Sequence, residues 1–220
     1  MALVQKSLII YKSLEIYVLI VKGIKFMAGK IKIGIIPTIR KKYNTLEYCI
    51  DEKLVQFIRK IFPSGEIVLL IEKKLTKVNL IISSGGNTLY VFSKRDEDKI
   101  RETFDSYYLN FAFKYKISFI GICFGAQFIA KKYGSKIKKI RNHVSLSHKV
   151  FGMEKTLFVN SYHNYGVFNL ASKLEKIFWA SDNSIEFFKL IDRNIYGMMW
   201  HPERNNKVKS FDRKFFREIL

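Results

Sequence analysis

A cysteine set between two closely spaced glycines lies near the middle of the chain, in the segment Gly121-Ile122-Cys123-Phe124-Gly125. An apolar run precedes it and a helical pattern follows it. This is the sequence form of a nucleophile elbow, with cysteine in place of the serine of related hydrolases. The turn is so tight that the positions two before and two after the nucleophile can carry almost no side chain, and both are glycine here. Because the N-terminal end of a helix favours a thiolate, Cys123 is a candidate nucleophile.

A histidine and a carboxylate two positions apart follow a later apolar run, in Trp200-His201-Pro202-Glu203. His201 could serve as a base for Cys123 and Glu203 could orient its ring, which together give a route to nucleophilic acyl chemistry. Either motif alone is weak evidence, because free cysteines are usually small core residues. The two motifs in this order predict a cysteine-dependent enzyme, whereas Cys49 has the ordinary context of a helix start.

Four segments together show a resemblance to a known family. The chain resembles the class I glutamine amidotransferases, and within them the γ-glutamyl hydrolase branch, which includes γ-glutamyl-γ-aminobutyrate hydrolase-like proteins. The Asn-Ser-Tyr-His-Asn element within the third segment points to that branch. The matching segments are Ile81–Asn87, Gly121–Gln127, Val159–Asn164 and Met199–Glu203.

The resemblance implies hydrolysis of a γ-glutamyl amide. Cys123 would attack the carbonyl carbon, His201 would carry the proton to the leaving amine, and Glu203 would orient the imidazole. The oxyanion hole would combine the backbone N–H of Phe124 with one from Gly85-Gly86. The resemblance further suggests that four side chains hold the glutamyl amino and carboxylate groups, with His163 as a binding residue or a second base. These are Gln127, Ser161, Tyr162 and His163.

The chain departs from the family at two positions near this site. Thr88 follows Gly-Gly-Asn where many relatives have Asp, and Phe124 follows the cysteine where Arg or Leu is common. Both could reshape the leaving-group side of the pocket. They bear on which substrate the pocket accepts and do not involve the three candidate catalytic residues.

Composition indicates one globular domain. The chain has 220 residues, of which 48% are hydrophobic, and this excludes disorder. Its two cysteines cannot form a disulfide framework and fit a reducing compartment, so we predict a cytoplasmic location. The net charge of +20 indicates either a generally basic surface or an anionic substrate or partner. No basic stripe or aromatic motif indicates nucleic acid.

Residues 1–30 form an N-terminal extension of uncertain status ahead of a single domain at 31–220. Their apolar runs are broken by Lys12 and Glu15 and are too short to span a membrane, and no clear signal-peptide cleavage site is present. The extension is either variable or translated sequence ahead of the natural start. We therefore expect a chain beginning at Met27 to fold.

The pattern of elements predicts an α/β fold, with a mostly parallel central sheet flanked by helices, as in flavodoxin-like domains. In such a sheet, ligands bind beyond the carboxyl ends of the strands, so the Gly85-Gly86 loop, the elbow and His201 should converge. The predicted strands are Ile31–Pro37, Ile67–Ile71, Val78–Ile82, Ile117–Ile122, Lys155–Asn160, Lys176–Ser181, Ile185–Ile191 and Ile195–Trp200. The predicted helices are Ile50–Phe62, Glu97–Lys114, Phe124–Tyr133 and Ser210–Leu220.

Two further groups of side chains have alternative interpretations. His143 and His148 could suggest a metal site, but their spacing is not that of common zinc sites and no cysteine accompanies them. We therefore predict no metal and no cofactor. The basic segment with Lys138, Lys139 and Arg141 is similar to relatives that act on nucleotide-linked γ-glutamyl compounds in surface-polysaccharide synthesis. It could equally be a solvated basic edge.

The preferred hypothesis is a free-standing γ-glutamyl hydrolase with a small-molecule, anionic substrate. A second hypothesis is a glutaminase subunit that delivers ammonia to a separate synthase. A third is a catalytically silent binding module, which the presence of all three candidate catalytic residues disfavours. A homodimer and a synthase partner both stay open, and no membrane or nucleic-acid partner is predicted.

Overall fold

The computed structural model describes residues 30–220 in full and the backbone of residues 18–21 and 24–27. These two short segments pair antiparallel as β1 (Val18–Val21) and β2 (Ile24–Met27). The other residues up to 29 lie outside the described part of the chain. The division into an extension and a domain at residue 31 therefore stays a prediction.

The first half of the fully described region alternates strands with helices. A Tyr43-Asn44 turn, with φ of 47° and 62°, joins the two strands of a separate hairpin there. The elements are β3 (Lys32–Ile36), the hairpin strands β4 (Thr38–Lys42) and β5 (Thr45–Cys49), α1 (Glu52–Ile61), β6 (Glu66–Leu69), β7 (Leu80–Ser83), α2 (Tyr90–Ser93), α3 (Asp96–Tyr115), β8 (Ser118–Ile122) and α4 (Phe124–Lys132).

The second half is mostly strands. Its elements are β9 (Lys136–Lys139), β10 (Val144–Gly152), β11 (Lys155–Tyr162), β12 (Tyr165–Phe168), β13 (Leu174–Ala180), β14 (Ile185–Leu190), β15 (Ile195–Met198), a short 3-10 helix (Pro202–Arg204) and α5 (Ser210–Glu218). Every predicted helix and strand is present with its ends shifted by at most two residues. The sequence interpretation missed the β4–β5 hairpin and β9, β10, β12 and α2. Cys49 ends β5 and does not open a helix.

One large sheet joins both halves in the order β11-β10-β13-β14-β15-β8-β7-β3-β6, with β12 and β9 attached beside β14. The five strands from β15 to β6 are all parallel. The strands beyond β15 extend the sheet with antiparallel pairs. The predicted α/β fold with a parallel sheet flanked by helices is confirmed, and the candidate site lies in its parallel part.

Helices cover both faces of the parallel strands. Alternate residues of these strands are buried in two separate cores, which explains why the strands are apolar on both faces. Helices α1 and α5 pack on one face, where Phe57 meets Phe216 edge to face with ring centroids 5.0 Å apart. Helices α3 and α4 pack on the other face, through residues such as Tyr108 and Ile129.

The length and polarity of the helices bear on membrane association. None of the helices in the described residues is both long enough and apolar enough to cross a membrane.

Candidate active site

The turn from β8 into α4 has the geometry of a nucleophile elbow. Cys123 adopts φ 50° and ψ −96°, a conformation that a non-glycine residue rarely holds and that is found at strained functional positions. A Cβ on Gly121 would collide with the backbone of Gly125, and one on Gly125 would collide with Ser83. The two glycines are therefore sterically required, as the sequence pattern predicts. The N–H of Cys123 donates to Met198 O at 2.8 Å, which fastens the elbow to β15.

The structure brings the three candidate catalytic residues together at the carboxyl ends of β8 and β15. Cys123 and His201 face the same point beside Gly85, where an added Cβ would lie 3.4 Å from Cβ of Cys123 and 3.5 Å from Nε2 of His201. On the other side of the ring, Nδ1 of His201 lies 2.6 Å from Oε1 of Glu203. All three side chains are buried, and Cys123 is 8% exposed. This is the order nucleophile, base and orienting carboxylate that acyl transfer requires.

The surroundings of Cys123 and His201 favour an ion pair. Burial opposes ionisation of the thiol, but the hydrogen bond and charge of His201 outweigh burial and hold the pKa of Cys123 below its ordinary value of 9.0. Burial likewise disfavours a charged His201, but Cys123 and then Glu203 outweigh it and raise its pKa to about 9. Each group therefore favours the charged form of the other, a thiolate beside an imidazolium.

The loop after β7 lies directly against these groups. A Cβ on Gly85 would come within 2.8 Å of Cε1 of His201 and 3.4 Å of Cβ of Cys123, so only glycine leaves the approach open. Gly86 adopts φ +102°, which favours glycine as well. Phe124 is the first residue of α4, and the first N–H groups of a helix have no intrahelical acceptor. The predicted oxyanion donors, from Phe124 and Gly85-Gly86, thus flank the thiol.

A model of the family described as glutamine amidotransferase class-I matches residues 55–218, which is most of the chain. The chain belongs to the class I glutamine amidotransferase family. This confirms the predicted family, which is a family of C–N hydrolases.

Two individual relatives and one solved structure are similar to this chain. The chain is 37% identical over 133 residues to a γ-glutamyl-CDP-amidate hydrolase of Campylobacter jejuni subsp. jejuni. That alignment covers 60% of this chain and 66% of the relative, just under two thirds of its length. The chain is also 30% identical over 103 residues to a glutamine-hydrolyzing GMP synthase subunit of Methanococcus vannielii. That alignment covers 43% of this chain and 54% of the relative. A solved structure from Thermoplasma acidophilum, described as a GMP synthase subunit, matches this chain with a TM-score of 0.67 at 20% identity. The match covers 87% of this chain and 92% of that structure's chain, and it supports the fold alone.

A buried arginine that the sequence interpretation missed supports the loop after β7. Arg101 on α3 is fully buried and pairs with Asp105 at 2.6 Å. Its guanidinium donates to Pro37 O and Ser84 O, each at 2.7 Å, and to Ser83 Oγ at 3.0 Å. The arginine thus joins the end of β3 to the loop after β7.

The two family departures lie beside this network. The Phe124 ring is fully buried, with the guanidinium of Arg101 4.8 Å from its centroid. It therefore packs in the core, and its predicted effect on the leaving-group side of the pocket stays a prediction. The N–H of Thr88 donates to Oδ1 of Asp98, a carboxylate that α3 supplies to this turn.

The segment after Val159 is fastened to both His201 and His143. Asn160 Nδ2 donates to His201 O at 2.7 Å, and the N–H of His201 donates to Asn160 Oδ1 at 2.8 Å. Ser161 is fully buried and donates its hydroxyl to His143 O at 2.7 Å. The exposed ring of Tyr162 meets His201 edge-on, with centroids 5.7 Å apart. Of this segment, Tyr162 is the side chain that borders the candidate active site at the surface.

The other two predicted substrate-binding side chains are directed inward. Gln127 Nε2 donates to Tyr165 O at 3.0 Å, and Nδ1 of His163 lies 3.1 Å from the same carbonyl oxygen. Gln127 and His163 are both buried. The predicted roles of Gln127, Ser161 and His163 in binding the glutamyl group stay predictions, and their present bonds are internal.

Four residues form a polar cluster beneath this segment, which we call the histidine–glutamate cluster. It consists of His143, His148, His163 and Glu186. Burial opposes charge on His163, but Glu186 outweighs it and raises the pKa of His163. Burial likewise opposes ionisation of Glu186, but His163 outweighs it and lowers the pKa of that carboxyl. The sequence singled out the three histidines but gave no signal for Glu186, which stands in a mostly apolar strand.

The basic segment that the sequence interpretation associates with an anionic substrate lies at the surface. Lys138 and Lys139 end β9, and both are exposed, as is Arg141. Closer to the thiol lies Arg204, whose guanidinium stacks 4.7 Å from the centre of the Tyr162 ring. Its positive charge is among the influences that lower the pKa of Cys123. The sequence interpretation did not single out Arg204.

Proposed function

We propose that this chain hydrolyses a γ-glutamyl amide through a covalent thioester on Cys123. The observation that carries the proposal is the convergence of Cys123 and His201, with His201 held by Glu203, at a strained elbow beside a glycine loop. Family membership supports the same reaction class.

Acylation begins with the thiolate of Cys123 attacking the γ-carbonyl carbon. The carbonyl oxygen gains the negative charge, and backbone N–H groups of Phe124 and the Gly85-Gly86 loop are placed to donate to it. His201, already protonated, gives its proton to the amide nitrogen as the C–N bond breaks. The amine leaves and a γ-glutamyl thioester remains on Cys123.

Deacylation reverses these roles. His201, now neutral, takes a proton from water, and the resulting hydroxide adds to the thioester carbonyl. Collapse of the second tetrahedral intermediate breaks the C–S bond, so that glutamate leaves and Cys123 returns as the thiolate opposite a protonated His201. Glu203 remains bound to Nδ1 throughout, which keeps Nε2 directed at the sulfur.

The proposed substrate is a γ-glutamyl amide whose leaving group carries phosphates. The similarity to a γ-glutamyl-CDP-amidate hydrolase supports this choice over free glutamine. Three exposed cations follow the elbow helix in the chain, and Arg204 lies near the thiol. These positive charges would attract phosphate groups.

A second candidate is a glutaminase subunit that supplies ammonia to a separate synthase. The similarity to a glutamine-hydrolyzing GMP synthase subunit supports it. The two candidates differ in the amine that is released and in whether a partner is required.

The test is a panel assay of purified protein with glutamine, γ-glutamyl alkyl amides and a nucleotide-linked γ-glutamyl amide. We expect glutamate release from the nucleotide-linked compound without any partner. Cys123→Ala should reduce the rate by roughly 10⁴ or more, whereas Cys49→Ala is the matched control and should keep full activity. Release from glutamine alone, and only after a synthase is added, would favour the second candidate. No release from any amide, with no acyl adduct on Cys123, would contradict both.

A further inference from the structure

The histidine–glutamate cluster gathers ligand-type atoms around one point inside the protein. Nε2 of His163 lies 3.5 Å from Oε2 of Glu186, and Nε2 of His148 lies 3.7 Å from the same oxygen. Nδ1 of His143 lies 3.7 Å from Oε1 of Glu186. One ligand atom each from His143, His163 and Glu186 can be chosen so that all lie within 4.8 Å of one another. The His163 and Glu186 side chains are fully buried, His143 is nearly so, and His148 is 20% exposed.

In two of the histidines, the hydrogen bond on the outer side of the ring determines which ring nitrogen carries the hydrogen. The other nitrogen then presents its lone pair to the centre of the cluster. Nδ1 of His163 lies 3.1 Å from the Tyr165 carbonyl oxygen, which can only accept, so Nδ1 carries the hydrogen. Nε2 of His143 lies 3.2 Å from the carboxylate of Asp182, so the hydrogen is on Nε2 there. In the neutral rings, Nε2 of His163 and Nδ1 of His143 therefore direct lone pairs toward Glu186.

The atoms at the centre lack hydrogen-bond partners among the described residues. They are Nδ1 of His143, Nε2 of His148, Nε2 of His163 and Oε2 of Glu186. Leaving a buried polar atom without a partner is unfavourable, so four such atoms within one cluster call for a common partner. Lone pairs and a carboxylate that converge require a cation.

We propose that the histidine–glutamate cluster binds a divalent metal ion of the zinc class. The ligands are Nδ1 of His143, Nε2 of His148, Nε2 of His163 and the carboxylate of Glu186. Three imidazoles and one carboxylate suit zinc and its neighbours, whereas Mg²⁺ and Ca²⁺ prefer oxygen ligands. This revises the sequence expectation of no metal, which considered His143 and His148 without the residues that fold against them.

The spacing and the outer bonds fit this assignment. Tetrahedral zinc at about 2.0–2.1 Å from its ligands sets them roughly 3.3 Å apart. The distances from the histidines to Glu186, 3.5–3.7 Å, are near this value, and ligand atoms of His143, His163 and Glu186, which lie within 4.8 Å of one another, would move inward on binding. Zinc-bound histidines usually donate their second N–H to a carboxylate or a backbone carbonyl. His143 and His163 do so, to Asp182 and to Tyr165.

The metal would fasten the Asn-Ser-Tyr-His segment to the sheet. His163 follows β11, and its N–H donates to His143 O at 2.9 Å. Glu186 stands on β14, and its carbonyl accepts the N–H of Met199, two residues before His201. A bound ion would therefore hold Tyr162 and His201 in register, as a structural site and not as a participant in the reaction.

The test measures metal in full-length protein from which any affinity tag has been removed. We expect about one zinc per chain by elemental analysis, and a Tm that falls after chelation and recovers with Zn²⁺. Cobalt substitution should give the visible absorption of a tetrahedral site. Glu186→Gln and His163→Gln should lose the metal. Asp182→Asn keeps an oxygen acceptor for Ser184 but changes the outer bond of His143, and should weaken binding about 10–100-fold.

Cys123→Ser is the matched control, because a thiolate beside His201 could also bind zinc. This variant should keep one equivalent and the same cobalt spectrum. The proposal is overturned if zinc-loaded protein retains well below one equivalent with an unchanged Tm. That outcome would mean that a proton between His163 and Glu186 stabilises the cluster. It is equally overturned if Cys123→Ser loses the metal while Glu186→Gln keeps it.

Discussion

The chemical state of Cys123 depends on one neighbour. Burial alone would raise the pKa of this thiol and make it a poor nucleophile. His201 reverses that effect through its hydrogen bond and charge, and Glu203 in turn supports the charge on His201. The reactivity of the thiol is therefore a property of the pair and should be lost with either member.

The pair predicts a bell-shaped pH dependence of turnover. The rate should rise at a pH below 9.0 as the Cys123 thiolate forms, because its pKa is lowered. It should fall as pH passes about 9, where His201 loses the proton that the leaving amine needs. The kcat/KM profile of the wild-type protein measures both limbs.

Alkylation measures the reactivity of the Cys123 thiol separately from the hydrolysis of the substrate. In His201→Ala only burial and more distant charges remain, so the pH at which Cys123 reacts with iodoacetamide should move upward. Mass spectrometry of the Cys123 peptide follows this, and the half-buried Cys49 in the same sample is the internal control. Equal pH dependence for Cys123 in the wild-type and His201→Ala proteins would show that the histidine does not set the thiol pKa.

Residues in local motifs could be predicted, and residues that act from a distance could not. Gly121, Cys123 and Gly125 are close in sequence, so one short segment contains the residues that the tight turn requires. Arg101 and Glu186 contact the site only through the fold, from a helix and a strand whose patterns give no sign of it. For the same reason the sequence interpretation considered His143 and His148 without Glu186.

At the scale of elements, the loop after β7 depends on helix α3. The five N–H groups of an arginine let Arg101 bind several backbone and side-chain oxygens while it pairs with Asp105. A lysine keeps the charge opposite Asp105 but cannot hold Pro37 O and Ser84 O together. Arg101→Lys should therefore loosen the loop without leaving a buried charge unpaired.

We expect Arg101→Lys to lower kcat about 10²-fold, the cost of displacing a preorganised donor by about an ångström. Circular dichroism should show a folded protein. Arg95→Lys makes the same change at a half-exposed position on the N-cap of α3, and should leave kcat near the wild-type value. If Arg101→Lys lowers Tm but keeps kcat, the arginine serves stability alone.

Helix α5 carries a carboxyl that burial makes unfavourable. Asp212 accepts from Nε1 of Trp200 at 3.1 Å, and burial raises its pKa from 3.8 to about 6. Between these pH values the unfolded chain has lost a proton that the native chain keeps, so stability falls as pH rises. At 1.36 kcal/mol per unit the loss approaches about 3 kcal/mol above pH 6.

Asp212→Asn keeps an acceptor for Trp200 and removes the ionisation. Its free energy of unfolding relative to wild type should therefore increase between pH 4 and pH 7, as measured by urea denaturation. Asp192→Asn changes an exposed turn residue in the same way and should show no such trend. A pH-independent difference for Asp212→Asn would mean that this carboxyl does not titrate with folding.

The parallel elements could be predicted because their apolar runs and helical periods are unbroken. The hairpins could not, because their turns lack the usual glycine signal. Tyr43-Asn44 joins β4 to β5 and Met153-Glu154 joins β10 to β11, with positive φ at all four residues. Nothing local in Met-Glu indicates such a turn, so tertiary pairing imposes it.

At the scale of the whole molecule, the net charge of +20 surrounds a site proposed to take an anion. A diffuse charge of this size raises the encounter rate with any anion, whereas a local cluster would bind a particular substrate more tightly. Both effects weaken with salt, since charges are screened over about 8 Å at physiological ionic strength. Salt dependence alone therefore cannot distinguish them, and the position of the charge must be varied.

Neutralising Lys138, Lys139 and Arg141 to Gln should raise KM for a nucleotide-linked γ-glutamyl amide by several-fold at low salt and leave KM for a neutral γ-glutamyl amide unchanged. The control replaces three exposed lysines at the amino-terminal ends of the parallel strands: Lys30 lies just before β3, Lys114 is in the last turn of α3, and Lys116 lies between α3 and β8. Net charge falls equally in both triple variants, so a diffuse field predicts equal effects. Steady-state kinetics at two salt concentrations measure the difference. Equal KM values for the two variants would assign Lys138, Lys139 and Arg141 to a solvated basic edge.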